Sequence, residues 1–142
     1  MNGIGYSSKY SGKYVCKNPS KYKGNANNIV YRSGLEYNYF TIFDTSDKIK
    51  SWQSEEVAIP YINMLDNKMH RYFPDLIVEF TNGNKFLIEL KPKSELDKPK
   101  KDGKKMLRYI ENTCKWNQAE KWAKENDMHF LVLTEQDLNN IR

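Results

Sequence analysis

Asp75, Glu89 and Lys91, with Glu36 well upstream, are the side chains whose types and spacing could do chemistry together. Two carboxylates held on neighbouring strands offer oxygen ligands to a hard divalent cation, which keeps several waters and completes its shell with substrate phosphate oxygens. A cation so held can activate water and offset charge on a phosphodiester. Lys91 follows Glu89 by two residues, so on a strand both point to one face. Its ammonium can hold the attacking water or neutralise a pentavalent phosphate. Service as a general base would need a strong depression of its ordinary pKa of about 10.4.

A hairpin is what brings Asp75 near Glu89. Residues 75–80 and 85–91 both alternate, with Thr81, Asn82, Gly83 and Asn84 between them. A two-residue turn at Asn82 and Gly83 would set Leu76 opposite Glu89 and Val78 opposite Leu87, splitting the apolar residues between both faces. A three-residue loop over 82–84, with Gly83 or Asn84 left-handed, instead pairs Phe80 with Phe86, Val78 with Ile88 and Leu76 with Leu90. One face is then wholly apolar, and Asp75, Glu89 and Lys91 share the other with Ile77, Glu79, Lys85 and Leu87. Glu79 lies at the turn end of that face, too far along the strand for a ligand.

The flanking elements follow from local signals. Ser33 and Glu36 have capping-box spacing, and Leu35, Tyr39, Ile42 and Phe43 share a face, which predicts a helix over 33–43. The cap alone would account for Glu36, so capping stands beside the catalytic role. Residues 44–50 read as a polar turn, 56–61 as a strand that Pro60 pushes to an edge, and 63–68 as a turn. Glu55 and Glu56 read as a solvated strand end more readily than as an extension of a metal shell. Pro92 ends the hairpin, and residues 93–105 read as a mobile charged loop with Pro99 and Gly103. Residues 106–126 carry a helical pattern that could break at Asn112 and Thr113. Its candidate core contacts are Leu107, Ile110, Cys114, Trp116, Ala119, Trp122 and Ala123, with both tryptophans read as core. Residues 129–133 read as a buried strand, with His129 structural, and Thr134 with Asp137 caps a last turn. A strand, a crossover helix and a further strand make a right-handed parallel unit. The expected fold is therefore α/β, a mixed β-sheet flanked by helices in the order α-β-β-β-α-β.

Composition narrows the setting. A chain of 142 residues, 39% hydrophobic and 29% charged, suits one globular domain rather than two or a disordered chain. No apolar run approaches the roughly 20 residues of a membrane helix. Nothing at the start reads as a secretory signal, so an intracellular protein with no membrane partner is expected. Cys16 and Cys114 lack zinc-ligand spacing; Cys114 reads as a buried hydrophobe and Cys16 as a free thiol in a flexible arm. The net charge of +5 comes wholly from residues 1–32, which hold Lys9, Lys13, Lys17, Lys21, Lys23 and Arg32 and no acid. Tyr6, Tyr10, Tyr14, Tyr22 and Tyr31 are interleaved with them. The division expected is an irregular basic arm over 1–32 and a single domain over 33–142. Such an arm suits a nucleic acid, and a solvated tail equally. The lysines at 93, 98, 100, 101, 104 and 105 read either as a DNA-tracking loop or as a solvated face. His70 and Arg71, just before Asp75, are candidates for phosphate contact, with a structural hydrogen bond as the other reading of the histidine.

Pro74 and Asp75, thirteen intervening residues, then Glu89, Leu90 and Lys91 resemble the PD-(D/E)xK signature of restriction-endonuclease-like nucleases, with Glu36 on a preceding helix where that family often places an acid. The opening Gly3, Ile4, Gly5, Tyr6, Ser7 with Lys9, Tyr10, Ser11, Gly12 and Lys13, then residues 29–33, and later His70 through Asp75, resemble the head completion nucleases of T4-type tailed phages. A more distant similarity is to the N-terminal nuclease domain of the TnsA transposase subunit. The resemblance implies a restriction-endonuclease-like core and a Mg²⁺- or Mn²⁺-dependent deoxyribonuclease. Its catalytic set would be Glu36, Asp75, Glu89 and Lys91. Its metal ligands would be Asp75, Glu89 and the Leu90 backbone carbonyl, with Glu36 a further candidate. Double-stranded DNA would lie along Lys9, Lys13, Arg32, His70, Arg71, Lys93, Lys115 and Asn117. Phage head or portal and neck proteins are the implied partners, in the host cytoplasm during virion assembly or within the virion. A transposition or recombination endonuclease is the other enzymatic reading. A DNA-binding head-tail connector that keeps the acids only structurally is the reading from a different class.

Overall fold

The computed structural model describes residues 10–141. Along the chain these form strands β1 (Gly12–Lys13) and β2 (Val30–Tyr31), helix α1 (Gly34–Thr45), and strands β3 (Ile49–Ser54), β4 (Ile59–Asn63), β5 (Lys68–Tyr72), β6 (Leu76–Phe80) and β7 (Lys85–Leu90). Helix α2 (Lys104–Glu125), strand β8 (His129–Leu133) and the short helix α3 (Leu138–Ile141) complete them. Lys9 lies outside the described residues, as does the opening segment 1–8.

The central sheet has the order β3-β6-β7-β8, antiparallel through β7 and parallel between β7 and β8, with α2 as the crossover. This is the mixed α/β arrangement expected, but its first strand is not the one expected. β3 occupies residues that overlap the polar turn read over 44–50. Ile49, Ser51 and Trp52 are buried there while Lys50 is exposed. A register irregularity between Ile49 and Ser51 interrupts the alternation that would have marked the strand. The strand read over 56–61 is displaced in turn: β4 pairs only with β5, in a separate antiparallel hairpin closed by the expected turn over 63–68.

The β6–β7 register also differs from expectation. Leu76 pairs with Ile88 and Val78 with Phe86, two residues from the pairing inferred above. The loop is Thr81, Asn82 and Gly83, closed by the Phe80 N–H donating to Asn84 O at 2.9 Å and the Gly83 N–H donating to Phe80 O at 3.0 Å. Gly83 takes the left-handed position at φ 92°. A shift of two preserves the period of a strand, so every side chain keeps its expected face.

Two apolar layers cover that sheet. On one side Leu76, Val78, Ile88 and Leu90 pack with Leu35, Tyr39, Phe40 and Phe43 of α1. Ser33 starts α1, its side-chain oxygen accepting the Glu36 N–H at 3.1 Å. On the other side Leu87 and Ile77 meet Cys114, Ala119 and Ala123 of α2 and Ile59, Tyr61 and Tyr72 of the β4–β5 hairpin. Each large side chain buried this way contributes roughly 1.5–3 kcal/mol. α2 begins at Lys104 and runs unbroken past Asn112, which is buried, and Thr113, whose hydroxyl donates to Tyr109 O at 2.9 Å. Leu107, expected in the core, is exposed. β8 is an edge strand with Leu131 37% exposed, because only β7 flanks it.

Residues 10–32 are irregular in backbone yet packed on the body. Tyr14, Tyr22, Ile29 and Tyr31 are buried among the α1 and β3 side chains, and Cys16 is half-buried against them. Asp44, fully buried, ties the segment down: it accepts the Tyr14 hydroxyl at 2.7 Å and the N–H groups of Lys17 and Asn18 at 2.7 and 2.9 Å. No helix among the described residues is long and apolar enough to cross a membrane.

Candidate active site

The observed register sets which side chains meet at the open end of the hairpin. Leu76 pairs with Ile88, so Asp75, one step before β6, stands across from Glu89. The pairing read from sequence would have put Lys91 there. Asp75 is fixed from both sides: its Oδ2 accepts the Leu90 N–H at 2.8 Å, and its carbonyl accepts the Glu55 N–H at 3.1 Å. Glu89 is buried, 7% exposed. Its Oε2 accepts two hydrogen bonds, from the Tyr72 hydroxyl and from Trp116 Nε1 at 3.3 Å.

Withdrawal from water pushes the Asp75 carboxyl well above the ordinary carboxylate range. The charge of Glu89, a hydrogen bond with it and the charge of Glu36 add to the shift, and the Leu90 N–H opposes it. Ionising Asp75 and Glu89 together brings two negative charges face to face, which the Arg32 guanidinium and the donors on each carboxylate offset only in part, a setting a cation relieves. The donor set fits such an ion. Asp75 across from Glu89 offers carboxylate oxygens, the ligand type that Mg²⁺ takes one or two of beside water and substrate phosphate.

Glu36 sits in the first turn of α1, and its Oε1 accepts the Arg32 N–H at 2.5 Å. The carboxylate therefore reaches one residue beyond Ser33, and the capping box is not closed reciprocally. Its carboxyl is pushed up, first by burial and then by the charges of Glu55 and Glu89, against the pull of the Arg32 N–H and guanidinium. The Arg32 guanidinium forms an ion pair with Glu55. Glu55 has φ 55°, a left-handed conformation that a non-glycine residue seldom takes. Glu56 is exposed and accepts the Tyr22 hydroxyl at 3.3 Å.

Lys91 follows β7 directly, its N–H donating to Leu133 O at 3.0 Å. Its ammonium enters no ion pair among the described residues. Leu90, between the two, is buried on the α1 side. Glu79 is at the far end of the hairpin beside Lys23 and Lys50. Lys115 of α2 lies over the Tyr72 ring at 5.8 Å and pairs with Glu111 at 3.1 Å, next to the group that bonds Glu89. Asn117 is exposed, and the α2 residue turned toward Glu89 is Trp116. His70 bonds Asp66 at 2.7 Å, and Arg71 points outward over the Phe73 ring at 5.5 Å. Lys13 and Lys93 are exposed.

Tyr72 is the site neighbour that sequence reasoning missed; Trp116 reads there only as core, and Glu55 as a solvated strand end more readily than as an extension of a metal shell. Trp116 sits at a core-like helical position, and Tyr72 belongs to a strand whose other face is exposed, so neither pattern separates a carboxylate donor from a packing side chain. Glu55 carries no sequence mark of its backbone conformation.

The chain is similar in sequence to known nucleases. Residues 46–135 match the TnsA-like endonuclease N-terminal family, a span that contains β3 through β8. The head completion nuclease of Enterobacteria phage T4 is 38% identical over 140 residues, covering 91% of this chain and 93% of the relative.

Proposed function

Because the chain belongs to the TnsA-like endonuclease N-terminal family and is similar over most of its length to the T4 head completion nuclease, we propose that its nuclease activity is metal-dependent, acts on double-stranded DNA and is carried by Asp75, Glu89 and Lys91. The observation that supports this most is Asp75 standing across from Glu89, with Lys91 two residues further along, directly after β7. Asp75 and Glu89, with the Leu90 carbonyl, would hold Mg²⁺ or Mn²⁺, whose chemistry is to activate water and offset phosphate charge. Lys91 holds the attacking water or meets the charge that builds on the phosphate. Glu36 adds an acid at the rim, through its own oxygen or through Arg32. Duplex DNA crosses the site along Arg32, Lys115, Lys93 and Arg71, whose charges neutralise backbone phosphates without reading sequence, with Lys13 and Lys9 on the arm.

The T4 relative, a head completion nuclease, supports the biological role. The chain trims or cuts packaged phage DNA during head completion, before the tail joins, in the host cytoplasm and in contact with phage head or neck proteins. The test is incubation of the purified protein with linear and closed-circular duplex DNA in Mg²⁺, Mn²⁺ or EDTA. Cleavage in either metal and none in EDTA is expected, and attack on closed circles marks endonucleolytic action. Equal cutting in EDTA would overturn the metal dependence. Tight DNA binding without cutting would favour the connector reading.

A further inference from the structure

Glu89 has three rotatable side-chain bonds, and a metal ligand works only if the carboxylate is held in one of its many orientations. Two donors from separate elements end on the same oxygen: the Tyr72 hydroxyl from β5 and Trp116 Nε1 from α2 both donate to Oε2. Neither occupies Oε1. Tyr72 is 4% exposed and Glu89 7%, so the contact is shielded from water, where hydrogen bonds to a charged acceptor are strongest. The two donors are themselves held. Lys115 lies over the Tyr72 ring, Tyr72 pairs with Ile59 in the β4–β5 ladder, and Tyr72 and Trp116 pack with the buried side chains on the α2 side of the sheet.

We propose that Tyr72 and Trp116 are positioning residues that clamp Glu89 through Oε2 and present Oε1 to the divalent cation, so that the β4–β5 hairpin and α2 together set the metal affinity of the centre. This rests on the metal-dependent reading above. The clamp assigns each donor a separable function. Removing the phenol oxygen leaves Oε2 held by Trp116 alone, so Glu89 is less restrained while its charge stays in place, and the cation is held less tightly with the ligand count unchanged. Packing alone would do none of this, because Phe fills the space of Tyr.

The experiment is direct Mn²⁺ binding to the full chain without DNA, read from the electron paramagnetic resonance of free Mn²⁺. Wild type, Tyr72→Phe, Trp116→Phe and Glu89→Gln are compared, with thermal melting of each and the Mg²⁺ dependence of cleavage alongside. Tyr72→Phe is expected to weaken Mn²⁺ binding about 10- to 100-fold. Half-maximal cleavage should move to higher Mg²⁺ by a similar factor, with the rate at saturating Mg²⁺ changing less. Trp116→Phe, at a half-buried position, shifts both in the same direction by less, and it carries the test if Tyr72→Phe does not fold. Wild-type affinity in the folded variants overturns the clamp and leaves the nuclease reading standing. Wild-type protein that binds no Mn²⁺ and cuts equally well in EDTA overturns both.

Discussion

Asp75 and Lys91 sit on one site face and carry opposite charges, so removing each should affect different quantities. Lys91 has no ion partner among the described residues, and its loss leaves both carboxylates in place. Lys91→Ala should therefore bind Mn²⁺ as wild type does while cutting DNA on the order of 100-fold more slowly or worse. Single-turnover cleavage beside metal titration checks this, and a parallel loss of metal binding would count against the role given to Lys91. At this scale Asp75, Glu89 and Lys91 were legible in the sequence because strand alternation sorts faces before any register is known. Tyr72 and Trp116 were not, because a donor becomes a partner of Glu89 only when β5 and α2 close on β7. The local code says that Trp116 is apolar and helical, and nothing about what its N–H will meet.

Elements were legible where their period ran unbroken. α1 and its Ser33 cap, the β6–β7 faces and the α2 crossover carry such patterns, whereas β3 is interrupted at Lys50 and is bordered by Ser46, Asp47 and Lys48, which composition reads as a turn. The segment before α1 was obscured for a related reason: its tyrosines and lysines suit a solvated arm until Asp44 is known to be buried beneath them. Three donors from residues 14–18 converge on that carboxylate. Asp44→Ala should cost about 3 kcal/mol, since it leaves the buried Tyr14 hydroxyl without its acceptor and two part-buried N–H groups without theirs. Chemical denaturation measures it, and a change under about 0.5 kcal/mol, the range of ordinary surface substitutions, would mean the anchor is dispensable. The same packing gives an alkaline limit. Burial, together with the charge of Glu56, pushes the Tyr22 phenol up to about 12, against the pull of its bond to Ser54 O. Its folded value then exceeds the unfolded value of about 10, so its contribution is complete below pH 10 and is lost as pH rises from about 10 to about 12. Tyr14 is raised in the same direction by burial and by Asp44. Melting temperature should fall across that window, and the fall should be shallower in Tyr22→Phe.

For the whole molecule, the expectation is that residues 10–32 and the body fold as one unit. Deleting residues 1–32 removes Tyr14, Tyr22, Ile29 and Tyr31 from the core and uncovers Trp52, which is 1% exposed in the intact chain. The truncated chain should lose cooperative melting; a stable, folded product would show that the segment is a detachable arm after all. The sequence legibly divided charge between these parts, yet charge does not report which residues a core will enclose. The central claim, that the facing carboxylates at the hairpin end are the metal-dependent catalytic centre, is met most directly by DNA cleavage with Asp75→Asn at saturating Mn²⁺, with melting measured on the same samples. Asparagine can still accept the Leu90 N–H and relieves the repulsion from Glu89, so the variant should be at least as stable as wild type in EDTA while its cleavage falls on the order of 1,000-fold or more. Folded Asp75→Asn protein that cuts within a few-fold of wild type would contradict the account.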